Sequence, residues 1–267
     1  MSYEFFEIDK HGQTATLWLN RPEKRNAMGP AFWNELPRVM SALDGDPEVR
    51  AVVIAGRGRD FTVGLDLKAM SGTLFAAQPS GRFALIDEIS RLQRSITSVA
   101  ECRKPVIAAV HGYCLGGGID LITACDIRYA SRDTIFSIRE TKIAIVADVG
   151  TLQRLPAIIG KGHVAELAYS GDDIGAERAE AIHLVNRVYA DAGATLAAAR
   201  DLAGRIAANS PLAVVGTKRV LEYGEGKSVE DGLQYVATWN SAFLNSDDLR
   251  EAMAAFLEKR KPNFTGR

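Results

Sequence analysis

Three observations predict an α/β fold for this chain of 267 residues. Through the first half, short β-rich runs alternate with segments of helical periodicity. Hydrophobic residues make up 47% of the sequence, which is enough to bury a substantial core. From Thr151 onward the pattern is mostly helical and continues to Lys261. We therefore expect a layered α/β core followed by a C-terminal helical region.

The first predicted elements alternate between strand and helix. A strand is predicted over Thr14 to Asn20, a helix over Pro30 to Leu43, and a second strand over Val49 to Ala55. A longer helix, from about Arg82 to Ala100, carries an apolar stripe along one face. The apolar run Val106 to Val110 then predicts a further buried strand.

A glycine run marks the middle of the chain. Gly116 to Gly118 precede a short buried helix, which is predicted over Ile119 to Cys125. Two strand candidates follow, at Ile127 to Ala130 and at Thr134 to Ile138.

The C-terminal region begins with an interruption of the helical pattern. An Ala-rich helical stretch reaches Asn209, and the next helix has Pro211 near its first turn. We place a soft boundary near residue 205, so that residues 1–205 form a catalytic core and residues 206–267 a helical region.

Composition excludes several classes of function. The net charge is -1 with acidic and basic residues interspersed, so neither nucleic acid nor an anionic membrane is an expected partner. The three cysteines lack CxxC spacing and the four histidines lack metal-ligand spacing, so we expect buried thiols and no metal. No apolar run approaches a membrane span, the N-terminus is acidic, and the C-terminal Thr-Gly-Arg is not a peroxisomal address. We therefore expect a cytoplasmic protein.

The glycine run could bind an oxyanion. Glycine lets a ligand approach the backbone closely, and the N-terminus of a helix presents unpaired N–H groups. The segment FTVGLDLKAM, residues 61–70, could supply a second donor, because the N–H of Leu65 could converge with that of Gly117 on one oxygen. Either segment alone is explained equally well as a tight turn or a loop.

Three carboxylates could carry proton-transfer chemistry. Asp120 lies in the first turn of the predicted short helix, where an acidic residue is also favoured for structural reasons. Glu140 could equally be a surface charge paired with a neighbouring basic residue. Asp148 lies within the apolar stretch of residues 143–150, where burial would raise its pKa and favour proton transfer.

The chain resembles the enoyl-CoA hydratase/isomerase (crotonase) superfamily. Six segments carry the resemblance: LNRPEKRNAM (19–28), FTVGLDLKAM (61–70), KPVIAAVHGYCLGGGIDL (104–121), CDIRYAS (125–131), GTLQRLPAIIG (150–160) and FLEKRKPNF (256–264). Together they cover nearly the whole chain. The resemblance implies a spiral of ββα units and a C-terminal helical trimerisation region. It also implies homotrimers, or hexamers that are dimers of trimers.

The resemblance also implies a site for an acyl-CoA thioester. Leu65 and Gly117 match the family's two N–H donors to the thioester oxygen, which gains negative charge when a proton beside it is removed. Positions that match the CoA-binding surface are Lys24, Arg25, Ala27, Asp66, Lys68 and Lys259. Because CoA is part of the substrate, no separate cofactor is expected.

The acidic residues select among the reactions of the superfamily, which fold alone cannot do. A hydratase typically has glutamates at the positions of Asp120 and Glu140, and a glycine at the position of Asp148. The combination in this chain instead resembles the Δ3,5-Δ2,4-dienoyl-CoA isomerases. Their 1,5-proton shift needs one ionised and one protonated acid. We expect Glu140 to serve C2, Asp148 to serve C6, and Asp120 to orient or tune the pair.

Two alternatives remain open from the sequence. A 2-enoyl-CoA hydratase would use Glu140 and the same oxyanion site. A non-catalytic acyl-CoA-binding protein would not need the three acids. One departure from the isomerase pattern is Ala144, at a position where the resemblance predicts glycine.

Overall fold

The computed structural model describes residues 2–72 and 82–267. Its strands are β1 (Phe6–His11), β2 (Thr14–Leu19), β3 (Ala51–Gly56), β4 (Val106–Val110), β5 (Tyr113–Leu115), β6 (Ile127–Ser131), β7 (Ile135–Ser137), β8 (Ile174–Gly175) and β9 (Arg187–Tyr189). Its α-helices are α1 (Pro30–Gly45), α2 (Arg82–Ala100), α3 (Gly117–Thr123), α4 (Thr151–Ile159), α5 (Lys161–Ser170), α6 (Ala176–Ala181), α7 (Ala192–Ala207), α8 (Pro211–Gly224), α9 (Val229–Phe243) and α10 (Asp247–Leu257). Two 3₁₀ turns span Pro22–Lys24 and Glu140–Ile143.

The predicted elements form with small shifts in their ends. The strand at Val106–Val110 and the helix at Arg82–Ala100 have the predicted bounds. The short helix predicted over Ile119 to Cys125 instead begins at Gly117 and ends at Thr123. The reason is that Gly116 has φ +50 and is the N-cap, so the two glycines after it already form the first turn.

Successive segments of the chain repeat a ββα course. A larger sheet has the order β1-β2-β3-β4-β6-β9, and a smaller sheet has the order β5-β7-β8. β4, β5 and α3 form one unit, and β6, β7 and α4 form the next. In both, the first strand joins the larger sheet and the second joins the smaller one. β3 begins a similar unit, since Thr62 after it pairs with Cys114 of β5. These stacked units form the expected spiral.

Both faces of the larger sheet are covered. From β2 to β9 its neighbouring strands run parallel, and such sheets are normally buried on both sides. On one face Val52 and Ile54 of β3 pack in the main core with α1. On the other face Val53 packs in a second cluster with Ala199 and Ala203 of α7. The small side chains of α7 therefore let this helix lie close to the strands.

The C-terminal helices follow α7 without a linker. α7 crosses residue 205 and ends at Ala207, and α8 then begins with Ser210 as N-cap and Pro211 in its first turn. Arg50, at the start of β3, donates to the carbonyls of Ala207 and Phe264, which anchors the tail at the amino end of that strand. Within residues 2–72 and 82–267, none of the helices has both the length and the apolar character to cross a membrane.

The packing of α7 on the sheet generates a stability prediction. Ala203→Leu should lower the free energy of unfolding by about 1 to 3 kcal/mol, because extra methylene groups overpack a filled interface. Ala197→Leu, at an exposed position of the same helix, is the matched control and should change it by less than about 0.5 kcal/mol. Urea unfolding followed by circular dichroism measures both. Equal effects of the two variants would contradict the close packing of α7.

Candidate active site

Two loops touch through their backbones beside the glycine run. Gly64 has φ +83, and a Cβ atom placed on it would lie 2.6 Å from the carbonyl oxygen of Leu115 and 3.4 Å from the amide nitrogen of Gly117. Only glycine satisfies both the backbone conformation and the lack of space. The loop that carries Leu65 is therefore held against the start of α3.

This contact brings together two N–H groups without acceptors. The amide of Met28 donates to the carbonyl of Gly64 over 2.8 Å, and the carbonyl of Met28 accepts from the amide of Asp66 over 3.1 Å. The N–H of Leu65, between them, has no acceptor within the described residues. The N–H of Gly117 is likewise unused, because Gly117 is the first residue of α3. Two close, unused backbone donors are suited to stabilise an oxyanion.

Glu140 lies over the glycine run. It follows β7 and begins the 3₁₀ turn Glu140–Ile143. Its Oε1 lies 3.3 Å from the position that a Cβ atom on Gly116 would occupy. Its Oε2 is buried and has no hydrogen-bond partner among the described residues. One acid thus lies next to the residue that carries the Gly117 donor.

Asp120 connects two helices beneath this surface. It lies in the first turn of α3 and is only 1% exposed. Its Oδ1 accepts from the amide of Thr151, the first residue of α4, over 2.6 Å. Its Oδ2 is buried and, within the part of the chain that the structure describes, unpartnered. A carboxylate at the N-terminus of α4 is favoured by the unpaired N–H groups there.

Asp148 precedes α4 and is partly buried. Gln93 of α2 donates to its carbonyl oxygen over 2.7 Å. Two residues later, the guanidinium of Arg154 packs directly on Gly150, where a side chain would clash. Arg154 also donates to the hydroxyl of Thr97 over 2.9 Å. Contacts with α2 therefore hold the backbone on both sides of the Asp148 carboxyl.

Burial raises the pKa of all three acids, and repulsion from neighbouring carboxylates adds to the shift at Asp120 and Glu140. Burial raises the pKa of Asp120 to about 6, although its hydrogen bonds to Thr151 oppose the shift. Burial raises the pKa of Glu140 to about 7, and the negative charges of Asp120 and Asp148 add to the effect. Burial also raises the pKa of Asp148. Near neutral pH the site can therefore hold both ionised and protonated acids, as a proton-transfer site requires.

The predicted CoA-binding residues have different surroundings. Lys24 is exposed at the end of the 3₁₀ turn Pro22–Lys24, and Lys68 is exposed on the loop that carries Leu65. Arg25 and Asp66 are already in ion pairs, with Asp60 over 2.6 Å and with Arg21 over 3.0 Å respectively. Their assignment to CoA remains a prediction.

Ala27 and Lys259 lie in contrasting places. Ala27 is buried in the segment between the 3₁₀ turn Pro22–Lys24 and α1. Lys259 is exposed just after α10, and nothing in the described residues places it beside the three acids.

Three other residues shape the site and were not predicted. Asn26, fully buried with φ +55, donates through Nδ2 to the carbonyls of Arg57 and Asp60. In α4, the amide of Thr151 donates to Asp120, and Arg154 packs on Gly150, two residues after Asp148. The only sequence signal for them was their place in motifs at which a helix or turn begins.

A cavity of about 1200 Å³ lies elsewhere, between the C-terminal helices and the core, and none of the three acids lines it. Because burial, raised pKa and free N–H groups coincide at the acids, we assign the chemistry there. No group of three or more His, Cys, Asp or Glu side chains in residues 2–72 and 82–267 could hold a metal ion.

Comparison with known proteins identifies the family. The Enoyl-CoA hydratase/isomerase family matches residues 9–267, and the chain belongs to it. It is 44% identical to the peroxisomal Delta(3,5)-Delta(2,4)-dienoyl-CoA isomerase of Arabidopsis thaliana, over 98% of each chain. It is 47% identical to the mitochondrial isomerase of the same name from Mus musculus, over 91% of this chain and 76% of the mouse protein.

A solved structure confirms the fold. The enoyl-CoA hydratase of Bacillus anthracis superimposes with a TM-score of 0.91 at 31% identity, over 99% of this chain and 100% of that one. The predicted crotonase-like α/β fold and the resemblance to dienoyl-CoA isomerases are thereby confirmed.

The predicted cytoplasmic location is wrong according to the names of these relatives. The isomerases of Arabidopsis thaliana and Mus musculus are named peroxisomal and mitochondrial, which points to organelles. The prediction failed because composition and a few terminal residues do not determine the cellular compartment.

Removing the charge of Glu140 should stabilise the fold at neutral pH. The pKa of this acid is about 7 in the folded protein and 4.5 ordinarily, so the free energy of unfolding falls as pH rises from about 4.5 to about 7. Glu140→Gln should therefore be more stable than the wild type at pH 8, by about 1 to 3 kcal/mol. The difference should vanish below about pH 4.5.

Urea midpoints across this pH range measure the effect. Glu177→Gln, at an exposed position of α6, is the control and should give no pH-dependent difference. A Glu140→Gln variant that is less stable at every pH would show that the carboxylate is favourably bound.

Proposed function

We propose that this enzyme is a Δ3,5-Δ2,4-dienoyl-CoA isomerase that acts by a 1,5-proton shift. The observation that carries the proposal is the pair of partly buried acids, Glu140 and Asp148, in one loop beside two unused backbone donors. Two separate acids suit a proton that leaves one carbon and arrives at another four bonds away. The names of the relatives that share 44% and 47% identity support the same activity.

The shift begins at C2 of the thioester. The carbonyl oxygen accepts hydrogen bonds from the amides of Leu65 and Gly117, and ionised Glu140 removes a proton from C2. The C2–H bond breaks, and its electrons form the C2=C3 double bond while the former C3=C4 and C5=C6 bonds become C4=C5 and a new C6–H bond. Protonated Asp148 supplies the proton at C6. The backbone donors stabilise the negative charge that the thioester oxygen gains in the dienolate.

The assignment of the two acids rests on the place of Glu140 beside the glycine run. Glu140 lies over Gly116, next to the amide that would hold the thioester oxygen, and C2 is bonded to that carbonyl carbon. Asp148 lies eight residues further along the same loop and serves the distal carbon.

Asp120 acts on Glu140 through its charge. A negative charge on Asp120 raises the pKa of Glu140 and so makes it a stronger base. The amide of Thr151 holds Asp120 in place.

Binding of the CoA portion is assigned to the surface formed by the loops that carry Lys24 and Lys68. Lys24 and Lys68 are exposed there and can pair with phosphates, with Arg25, Ala27, Asp66 and Lys259 as further contacts. CoA arrives as part of the substrate, so the enzyme needs no bound cofactor.

Assembly into trimers or hexamers would cover the C-terminal helices. Residues 206–267 carry apolar side chains that are largely exposed in the single chain: Leu221, Leu233 and Phe256 are 70%, 62% and 83% exposed. Exposed apolar residues of this extent favour burial between copies of a chain. Residues 1–205 would then form the catalytic core of each copy.

Hydration of a 2-enoyl-CoA is the second candidate. Asp120 Oδ2 and Glu140 Oε2 are both buried without partners among the described residues, and together they could hold a water molecule. The carboxylate of Asp148 favours the isomerase, because hydration does not need a third acid.

A direct assay separates the two activities. Purified enzyme should convert a 3,5-dienoyl-CoA to the conjugated 2,4-dienoyl-CoA, which is followed by the growth of its ultraviolet band. With a 2-enoyl-CoA, loss of the enoyl band should be much slower. Rapid hydration without any isomerisation would reject the proposed function.

Asp148→Asn tests the donor at C6. The variant should bind the CoA ester nearly as well as the wild type but lose at least about 100-fold in kcat, because general acid catalysis typically contributes 10² to 10⁴. Gln93→Ala, which removes only the contact to the Asp148 carbonyl, is a graded comparison and should lose less. An unchanged kcat in Asp148→Asn would remove this acid from the mechanism.

A further inference from the structure

Arg25 is held by a buried carboxylate. Its Nε donates to Oδ2 of Asp60 over 2.6 Å, and its guanidinium lies over the ring of Tyr113, 4.7 Å from the centroid. Asp60 is only 1% exposed, whereas the Arg25 side chain is 44% exposed. A buried carboxylate needs such a partner, because an unpaired buried charge is strongly destabilising.

Asp60 joins three segments of the chain. Through Oδ1 it accepts from the amide of Tyr113 over 3.0 Å, and through its carbonyl it accepts from Nδ2 of Asn26 over 2.9 Å. Gly112 makes a close approach from the third side: it has φ +57, and a Cβ atom there would lie 2.8 Å from Asp60 Oδ1. Asp60 therefore ties the loop of Arg25, its own loop and the start of β5 together.

The residues after Asp60 carry this fixation toward Leu65. The amides of Phe61 and Thr62 donate to the carbonyls of His111 and Tyr113, over 2.8 and 2.9 Å. The hydroxyl of Thr62 donates to the carbonyl of Asn26 and accepts from the amide of Gly64. These bonds fix the residues that precede Leu65 in the chain.

The same segments lead to the second donor. β5 begins at Tyr113, which Asp60 holds, and two residues after its end lies Gly117. Both backbone donors are thus connected to one carboxylate by short, hydrogen-bonded stretches of chain. Burial alone would raise the pKa of Asp60, but its bonds to Arg25 and Tyr113 lower the pKa below its ordinary value, so the carboxylate is ionised and can hold Arg25.

We propose that Asp60 and Arg25 form a positioning pair, which holds the amides of Leu65 and Gly117 where both can donate to one oxygen. This role rests on the proposed function. Neither side chain needs to touch the reacting atoms. Arg25 then acts on the reaction through Asp60, apart from any contact that it makes with the CoA portion of the substrate.

A set of variants separates the two roles of Arg25. Arg25→Gln, Asp60→Asn and the double variant are assayed with a 3,5-dienoyl-CoA and with the same acyl group on pantetheine, which lacks the nucleotide phosphates. Each single variant should lower kcat about tenfold or more on both substrates, with little change in KM, because misplaced oxyanion donors weaken transition-state binding. Arg25→Gln should be the more damaging, because it leaves Asp60 buried without its partner.

The double variant gives the most discriminating test of the pair. Asp60→Asn should partly restore the kcat that Arg25→Gln loses, since it removes the unpaired charge. Amide hydrogen exchange at Phe61 and Thr62 should be faster in both single variants than in the wild type. Asp44→Asn, which breaks the Arg103 ion pair of 2.8 Å away from the site, is the control and should change neither kcat nor this exchange.

Two outcomes would overturn the proposal. One is an effect of Arg25→Gln confined to KM and to the CoA substrate, which would make Arg25 a phosphate ligand. The other is unchanged exchange at Phe61 and Thr62 in both single variants. A wild-type enzyme that fails to isomerise the diene would instead reject the proposed function, while the exchange measurement would still test the pair.

Discussion

The site depends on a contact between two backbones. The loop at Gly64 touches the turn between Leu115 and Gly117 so closely that no side chain fits between them. Both backbones adopt positive φ at glycines here, and the amides of Leu65 and Gly117 are left without acceptors among the described residues. An unpaired amide is unfavourable when buried, so the hydrogen bonds around it must hold the loops in place. The neighbouring bonds to Met28 and Asp60 provide that constraint.

The acids reach this contact from two successive ββα units, Asp120 from one and both Glu140 and Asp148 from the next. Asp120 comes from the helix after β5, Glu140 follows β7, and Asp148 precedes α4. Each ββα unit places a loop at the same edge, so residues distant in sequence become neighbours. Burial raises the pKa of each of the three carboxyl groups, which opposes the stability of the fold when they are ionised. The core of the two packed faces stabilises the arrangement, and the raised pKa values are what the chemistry uses.

Much of the architecture was predictable because its signals are local. Val106–Val110 is a continuous apolar run after Lys-Pro, and it forms a strand with the predicted bounds. The start of α3 was misplaced by two residues because a glycine run does not reveal where the positive φ falls. The three acids were predicted from their local surroundings and from the resemblance to dienoyl-CoA isomerases, and the structure places Glu140 over the glycine run.

Other features had no local signal. The Asp60–Arg25 and Thr151–Asp120 contacts join residues 35 and 31 positions apart. Neither periodicity nor composition records such pairs. The sequence therefore suggested a CoA contact at Arg25 but gave no sign of its ion pair with Asp60.

In the proposed mechanism, the roles of Glu140 and Asp148 come from their positions and not from their intrinsic acidity. The pKa of Glu140 rises when Asp120 and Asp148 are ionised, so its protonation depends on theirs. After one forward shift Glu140 holds a proton and Asp148 is ionised, which is the arrangement that the reverse reaction requires. The acid beside the oxyanion donors acts at C2 in either direction, because only there does the dienolate oxygen lie against the two amides. In the proposed mechanism, therefore, the position of each acid determines the carbon at which it acts, and the protonation state determines the direction of a single turnover.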